Sequence, residues 1–162
     1  MDDADPHLVA LRRHAEDLRD GTHGGAGPRA EKERLFQQAA QFLDPVARQA
    51  LREVNDSLLD GTGEIGDVGV QRSADGSLTR DWTLSWPEQR GRGIAPVTIS
   101  AWFGGAFHHP HLRGATVQNW ALNVYDEADA SAVLPVLRGI FAADVHNLIF
   151  QADWRIIPAV CQ

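Results

Sequence analysis

The sequence predicts an α+β fold, in which N-terminal helices pack on one face of a mainly antiparallel five-stranded sheet in the order ααα-ββββ-α-β. Two patterns support this. Apolar residues recur at helical spacing through the first sixty residues and at every second position in several later segments. The 162 residues, 43% of them hydrophobic, suffice for one core without disulfide support. We therefore expect one domain, with a helical part at 1–60 and the sheet plus one helix at 61–162.

Three helices are predicted in the N-terminal part. The pairs Asp-Pro at 5–6 and at 44–45 each combine an N-cap residue with proline at the first helical position, so they mark the starts of the first and third helices. Pro28 opens the second helix, and Gly61 ends the third. The glycine-rich loop at 21–27 is interpreted as a mobile linker. The apolar stripes of all three helices are expected to form half of the core.

Alternating apolar and polar residues predict five strands, and one helix is predicted before the last of them. The strands lie at 68–73, 78–86, 97–103, 119–125 and 148–157, and the helix at about 129–143. The first two strands join through a three-residue loop with Gly76 in a left-handed conformation, because that register pairs Val68 with the apolar Trp82.

The alternation gives the sheet an apolar face, to which Trp82, Trp86, Trp120 and Trp154 are assigned, and a polar face. The predicted ligand-binding residues of the polar face are Trp102, Asn119, Asn123, Tyr125, Gln151, Asp153 and Arg155. Strands disfavour Asn and Asp, and an indole among polar neighbours is typical of a ligand platform. Contact with solvent is the alternative interpretation of this face.

A second candidate site is the loop that carries His108, His109 and His111. The predicted topology places Asp144 and His146 at the same end of the sheet. The four imidazoles are candidate ligands for a divalent metal such as Zn²⁺, and His109, His111, His146 and Asp144 are candidate catalytic residues. A histidine-bearing surface turn is the alternative. Arg113, at the end of this loop, is suited to hold an anionic group.

Charge and motifs exclude several classes of function. The net charge of −7 disfavours nonspecific nucleic-acid binding. The GxGxxG string at 61–66 follows a predicted helix and precedes a predicted strand, the reverse of a dinucleotide site. The most apolar stretch, 132–143, contains Pro135, Arg138 and Gly139, so we expect no membrane span. The acidic start of the chain lacks a secretion leader, and Cys161 is the only cysteine, so a cytoplasmic protein is expected.

Two functions follow from these features. The first is a small cytoplasmic binding module that holds a polar small molecule or a protein partner on the polar sheet face. The alternative is a metal-dependent or histidine acid–base enzyme centred on the loop at 108–111 with Asp144 and His146. A homo-oligomer formed through the polar face is a further possibility. Neither nucleic acid nor membrane is expected as a partner.

Overall fold

The fold is described by a computed structural model that covers residues 5–162; the acidic start of the chain, used above for localisation, lies partly outside this range. In chain order, the elements are α1 (Pro6–Asp20), α2 (Arg29–Leu58), β1 (Glu64–Asp67), β2 (Gln71–Arg72), β3 (Leu78–Ser85), α3 (Pro87–Gly91), β4 (Val97–Phe103), β5 (His111–Arg113), β6 (Trp120–Ala121), α4 (Glu127–Gln151) and the 3-10 turns Trp154–Ile156 and Pro158–Val160. The strands pair antiparallel in the order β1-β3-β4-β5-β6, and β2 also pairs with β3. The α+β class and the mainly antiparallel sheet are confirmed.

The core lies between the sheet and the helices α2 and α4, which pack against each other and against β4. Strand β4 shows why the sequence pattern was informative. Its alternate residues Val97, Ile99, Ala101 and Phe103 are buried, while Thr98, Ser100 and Trp102 on the other face remain partly accessible. Strict alternation over seven residues is explained well by a strand that is buried on one side.

The prediction of separate second and third helices is wrong, because α2 continues through Pro45. Proline removes one backbone hydrogen bond and crowds the carbonyl four residues earlier, here that of Gln41. Pro45 and Gln41 are both on the exposed side of the helix. Water can satisfy the freed carbonyl there, so the helix is not forced to end.

Arg80 lies on the core side of β3 and connects α2 to the sheet. Its guanidinium donates to Asp44 at 2.9 Å, to Asp67 at 2.7 Å and to the carbonyl of Ala40 at 3.1 Å. The hydrogen bond from Arg80 holds the pKa of the Asp67 carboxyl below its usual range. The indole of Trp82 also donates to Asp44, at 2.8 Å. Asp44 therefore joins helix and sheet, and does not cap a third helix.

The hairpin between β2 and β3 has the predicted three-residue loop. The backbone N–H of Ser73 donates to the carbonyl of Ser77 across this loop, and Gly76 has a φ of +83°. The predicted pairing does not extend to Val68, since Asp67 lies opposite Trp82. Gly69, with a φ of +72°, shifts the register by one residue between β2 and β1, and leaves Val68 exposed.

The predicted fifth strand at 148–157 is wrong. The segment is the end of α4 followed by a 3-10 turn, in which Asp153 accepts the backbone N–H of Arg155 as an N-cap. Leu148, Ile149 and Phe150 form a continuous apolar run that fits helix and strand equally well. As a result, Trp154 is 49% exposed and does not lie on the apolar sheet face.

Strand β5 was not predicted, and it changes the direction of the elements that follow it in the chain. It has three residues and pairs with the end of β4. Because β5 adds one reversal of direction, β6 runs parallel to β4 and α4 descends from the end of the sheet that holds His111. The prediction that Asp144 and His146 lie at that end is therefore wrong.

Helix α4 is long and apolar enough to cross a membrane by length and composition alone. In the fold one side of it packs in the core, and 28% of its apolar window is buried. Leu137, Ile140, Phe141 and Val145 are buried against the rest of the protein, and Pro135 lies in an exposed turn of it.

Helix α1 differs from α2 and α4, because it has no buried residue. Leu8, Leu11 and Leu18 are 65%, 61% and 53% exposed, so the expectation that this stripe joins the core is wrong. The helix begins at the predicted cap, where Asp5 accepts the N–H of His7, and it lies beside β6.

We expect Arg80→Ala to lower the free energy of unfolding by about 3 kcal/mol, since it leaves the nearly buried carboxylate of Asp67 and the partly buried one of Asp44 with fewer partners. The exposed Arg52 on α2 provides the control, and Arg52→Ala should change stability by less than about 0.5 kcal/mol. Urea denaturation measures both. Equal effects of the two substitutions would contradict the role given to Arg80.

Candidate functional site

The candidate site is a cluster of polar side chains between α1, the loop at 21–28 and the start of β5. We call it the histidine pocket, and it comprises His14, Asp17, His23, His109 and His111. His14 and Asp17 are three residues apart and therefore share one side of α1. Both side chains are partly buried, whereas Leu11 and Leu18, which neighbour His14 on the helix surface, are more than half exposed.

A tight turn holds His23. Its backbone exchanges two hydrogen bonds of 2.9 Å with Ala26, and the two residues between them, Gly24 and Gly25, both have positive φ. This is the geometry of a two-residue type I′ turn, which glycine adopts without strain. The loop interpreted as a mobile linker thus contains an ordered turn that buries His23 to 1% exposure.

His109 is held by the segment before it, which α2 anchors. Arg29 donates to the carbonyls of Gly104 and Phe107 at 2.9 and 3.0 Å. Lys32 donates to the carbonyl of His108 at 3.3 Å and to that of Gly21 at 2.9 Å. One ammonium group therefore connects the loop of His23 to the loop of His109.

The side chains of the histidine pocket come close together. One ligand atom from each of Asp17, His23 and His109 lies within 4.8 Å of the other two. The ring centroid of His14 is 4.8 Å from that of His109 and 5.7 Å from that of His111. Ligands about 2.1 Å from a tetrahedral zinc ion are about 3.4 Å apart, so small side-chain rotations would complete a site.

Several polar atoms of the histidine pocket are buried without a partner among residues 5–162. Both ring nitrogens of His109, Nδ1 of His111 and one carboxylate oxygen of Asp17 belong to this group. His109 is only 2% exposed. Buried polar atoms nearly always find a hydrogen bond or a metal ion, because leaving them unpaired costs free energy. A cation placed between these atoms removes that cost.

The imidazoles are held in their neutral form. Burial is the main cause that lowers the pKa of His23, His109 and His111 to about 4, and nearby imidazoles lower it further. Neutral imidazole is the form that binds a metal. Burial also raises the pKa of Tyr125 to about 12, so this residue stays a phenol. Its hydroxyl lies 3.1 Å from Nδ1 of His23, which leaves Nε2 of that ring as the ligand atom.

The other residues of the predicted metal site lie elsewhere. Asp144 accepts the N–H groups of Ala115 and Thr116 at 2.9 and 2.8 Å, so its carboxylate holds a loop. His146 is exposed on α4, and its contact is with the neighbouring Asn147. The structure brings together His109 and His111 from the predicted set, while the side chain of His108 is exposed beside them.

The predicted polar face is not one continuous surface. Trp102, Arg113 and Asn119 do lie together, and Tyr125 faces His23. Asn123 is partly buried, and its amide lacks a partner in the described chain. The remaining residues are not in a strand: Gln151 ends α4, and Asp153 pairs with Arg155 at the 3-10 turn.

Sequence reasoning missed His14, Asp17 and His23. Two signals pointed to them. His14 and Asp17 are three residues apart and therefore share one side of α1, and His23 precedes the Gly-Gly pair of a potential tight turn. Neither signal was used, because the apolar stripe of α1 was expected to be its buried side and the loop at 21–27 was interpreted as a mobile linker.

We expect Lys32→Met to lower the free energy of unfolding by about 2 kcal/mol, because the carbonyls of Gly21 and His108 lose a charged donor. Arg34→Met, on the exposed side of the same helix turn, is the control and should have less than about 0.5 kcal/mol of effect. Chemical denaturation measures both variants. A Lys32 variant as stable as the Arg34 variant would mean that the ammonium does not anchor the loops.

Two substitutions in the turn between His23 and Ala26 distinguish the free-energy cost of backbone strain from that of a clash with a neighbouring side chain. Gly24→Ala and Gly25→Ala each place a Cβ on a left-handed residue, at a cost of about 1–2 kcal/mol. A Cβ at Gly24 also overlaps the Tyr125 ring, whereas one at Gly25 meets nothing within 4 Å. We expect the melting temperature of Gly24→Ala to be clearly the lower of the two. Equal melting temperatures would show that Tyr125 does not pack as described.

Comparisons with protein-family models, with curated proteins and with solved structures give no match to this chain.

Proposed function

We propose that this protein binds a divalent transition-metal ion such as Zn²⁺ in the histidine pocket, and that it is a small metal-dependent hydrolytic enzyme. The observation that carries the proposal is the side chain of His109. It is 2% exposed, neither ring nitrogen has a partner in the described chain, and it lies beside Asp17 and His23. Imidazole and carboxylate together are typical zinc ligands.

The number of ligands supports a catalytic ion. Asp17, His23 and His109 provide three ligands, and catalytic zinc sites keep the fourth position for water or substrate. A pocket of about 290 Å³ lies beside these residues, with His14, Phe107, His111 and Asn119 in its lining. This volume is near the lower end for ligand sites, which favours a small substrate.

The chemistry follows from the ion and the neutral imidazoles. A zinc ion lowers the pKa of a bound water toward neutrality and so supplies a hydroxide nucleophile. His14 and His111 lie close to His109, and burial, which lowers the pKa of both, keeps their rings neutral and able to accept a hydrogen bond from water or substrate. The second nitrogen of His23 has Tyr125 as a hydrogen-bond partner, which orients the ring.

The cytoplasmic location and the absence of a nucleic-acid partner remain part of this proposal. They are supported by the net charge of −7 and by a single cysteine, which cannot form a disulfide within the chain.

The proposal is tested by titrating untagged, chelator-treated protein with Co²⁺, whose visible spectrum reports four-coordinate binding. We expect one ion per chain, and affinity lowered at least about 100-fold in His109→Gln. His146→Gln removes an exposed histidine outside the pocket, so it is the matched control and should bind like the parent.

Two results would contradict the proposed site. One is the lack of saturable binding by the parent protein. The other is loss of binding in His146→Gln with retention in His109→Gln, which would favour the ligands expected from the sequence alone. Circular dichroism of both variants establishes that they are folded.

A further inference from the structure

A second cleft lies away from the histidine pocket, between the start of β4, the loop at 114–118 and the C-terminal half of α4. Its volume is about 610 Å³, which is typical of sites for small organic molecules. Thr98, Ser100, Arg113, Asn147 and Gln151 are among its polar lining residues. It is larger than the pocket beside His109, and the proposed metal chemistry does not use it.

The cleft exists because two neighbouring segments diverge. Strand β5 pairs only with Ser100–Trp102, so the first part of β4 has no strand beside it on that side within residues 5–162. The chain then turns away from β4, because Asp144 on α4 accepts the N–H groups of Ala115 and Thr116. Val97 and Thr98, in this unpaired part of β4, line the cleft, and an unpaired strand edge offers backbone hydrogen-bonding groups to an occupant.

Arg113 is fixed at one end of the cleft. Its guanidinium carbon lies 3.6 Å from the centre of the Trp102 ring, and its Nε donates to Oδ1 of Asn119 at 3.1 Å. Asn119 reaches it from a left-handed backbone conformation with φ of +58°. The two Nη groups make no hydrogen bond to any described residue. A stacked guanidinium with one free edge is prepared for bidentate binding of an oxyanion.

The electrostatics of the cleft are compatible with an anion. Asp144 is the acidic residue in the lining, and each of its oxygens accepts a backbone N–H from the loop. These hydrogen bonds offset the negative charge of Asp144 and hold its carboxylate on the side of the cleft formed by the loop at 114–118. The other polar groups there, from Thr98 and Gln118 to Asn147 and Gln151, are neutral.

We infer that this cleft is a second binding site, for a small organic anion whose carboxylate or phosphate binds the Nη groups of Arg113 and whose polar body lies along β4 toward Gln151. The inference does not depend on the metal site, because it uses different residues and a different ligand chemistry. It also gives Arg113 the role of anion holder at a place other than the histidine loop.

The test follows the Arg113 side chain in the full-length protein by ¹H–¹⁵N NMR during titration with succinate, and separately with inorganic phosphate. Sodium chloride at matched ionic strength is the control titration. We expect saturable shifts of the Arg113 Nε–H signal and of the amides of Thr98, Ala115 and Thr116. The stronger of the two ligands identifies the anionic group that the cleft prefers.

Variants distinguish the site from general charge attraction. We expect Arg113→Ala to weaken binding at least about tenfold. Arg113→Lys retains the charge, loses the planar fork and should bind with intermediate affinity. Arg52→Ala removes an exposed arginine elsewhere and should bind like the parent.

The inference is overturned by shifts that chloride reproduces, by binding that Arg113→Ala leaves unchanged, or by shifts confined to His109 and His111. The last result would place the anion in the histidine pocket. A failure of Co²⁺ binding alone would leave the cleft unaffected, so the two proposals fail separately.

Discussion

The anchoring of the loop before β5 to the first turns of α2 is the constraint on which the candidate site depends. Arg29 binds carbonyls of this loop, and Lys32, the only lysine in the chain, joins it to the end of α1. Both cations belong to a helix that the Arg80 cluster fixes to the sheet. The positions of His23 and His109 are thus set by rigid elements, although both residues are in loops.

The parts of the fold that were predicted correctly are those where the pattern of apolar residues is compatible with only one local structure. In β4, strict alternation and burial on one face determined both the strand and its orientation. The β2–β3 loop was predictable from Gly76 at the left-handed position, although the pairing of Val68 with Trp82, on which the register was chosen, does not form. The continuous apolar run at the end of α4 had two solutions, and the tertiary contacts decided between them.

The candidate site was predictable only in part. The histidines before β5 could be identified as reactive from their density, but their partners depended on topology. Because β5 is three residues long, it leaves almost no periodic signal, and its omission reversed the direction assigned to α4. Asp17 and His14 were overlooked for a different reason. They border the apolar stripe of α1, and that stripe was expected to be the buried part of the helix.

The exposure of the leucines of α1 has a consequence for how the N-terminal region is held. Because these leucines are more than half exposed, the helix gains little from apolar burial, and its contacts with the protein include those of Arg13, which stacks on Tyr125, and of His14. An ion bound by Asp17 and the two loop histidines would link α1 to the remainder of the chain. Metal binding and docking of α1 are then thermodynamically coupled, so each one favours the other.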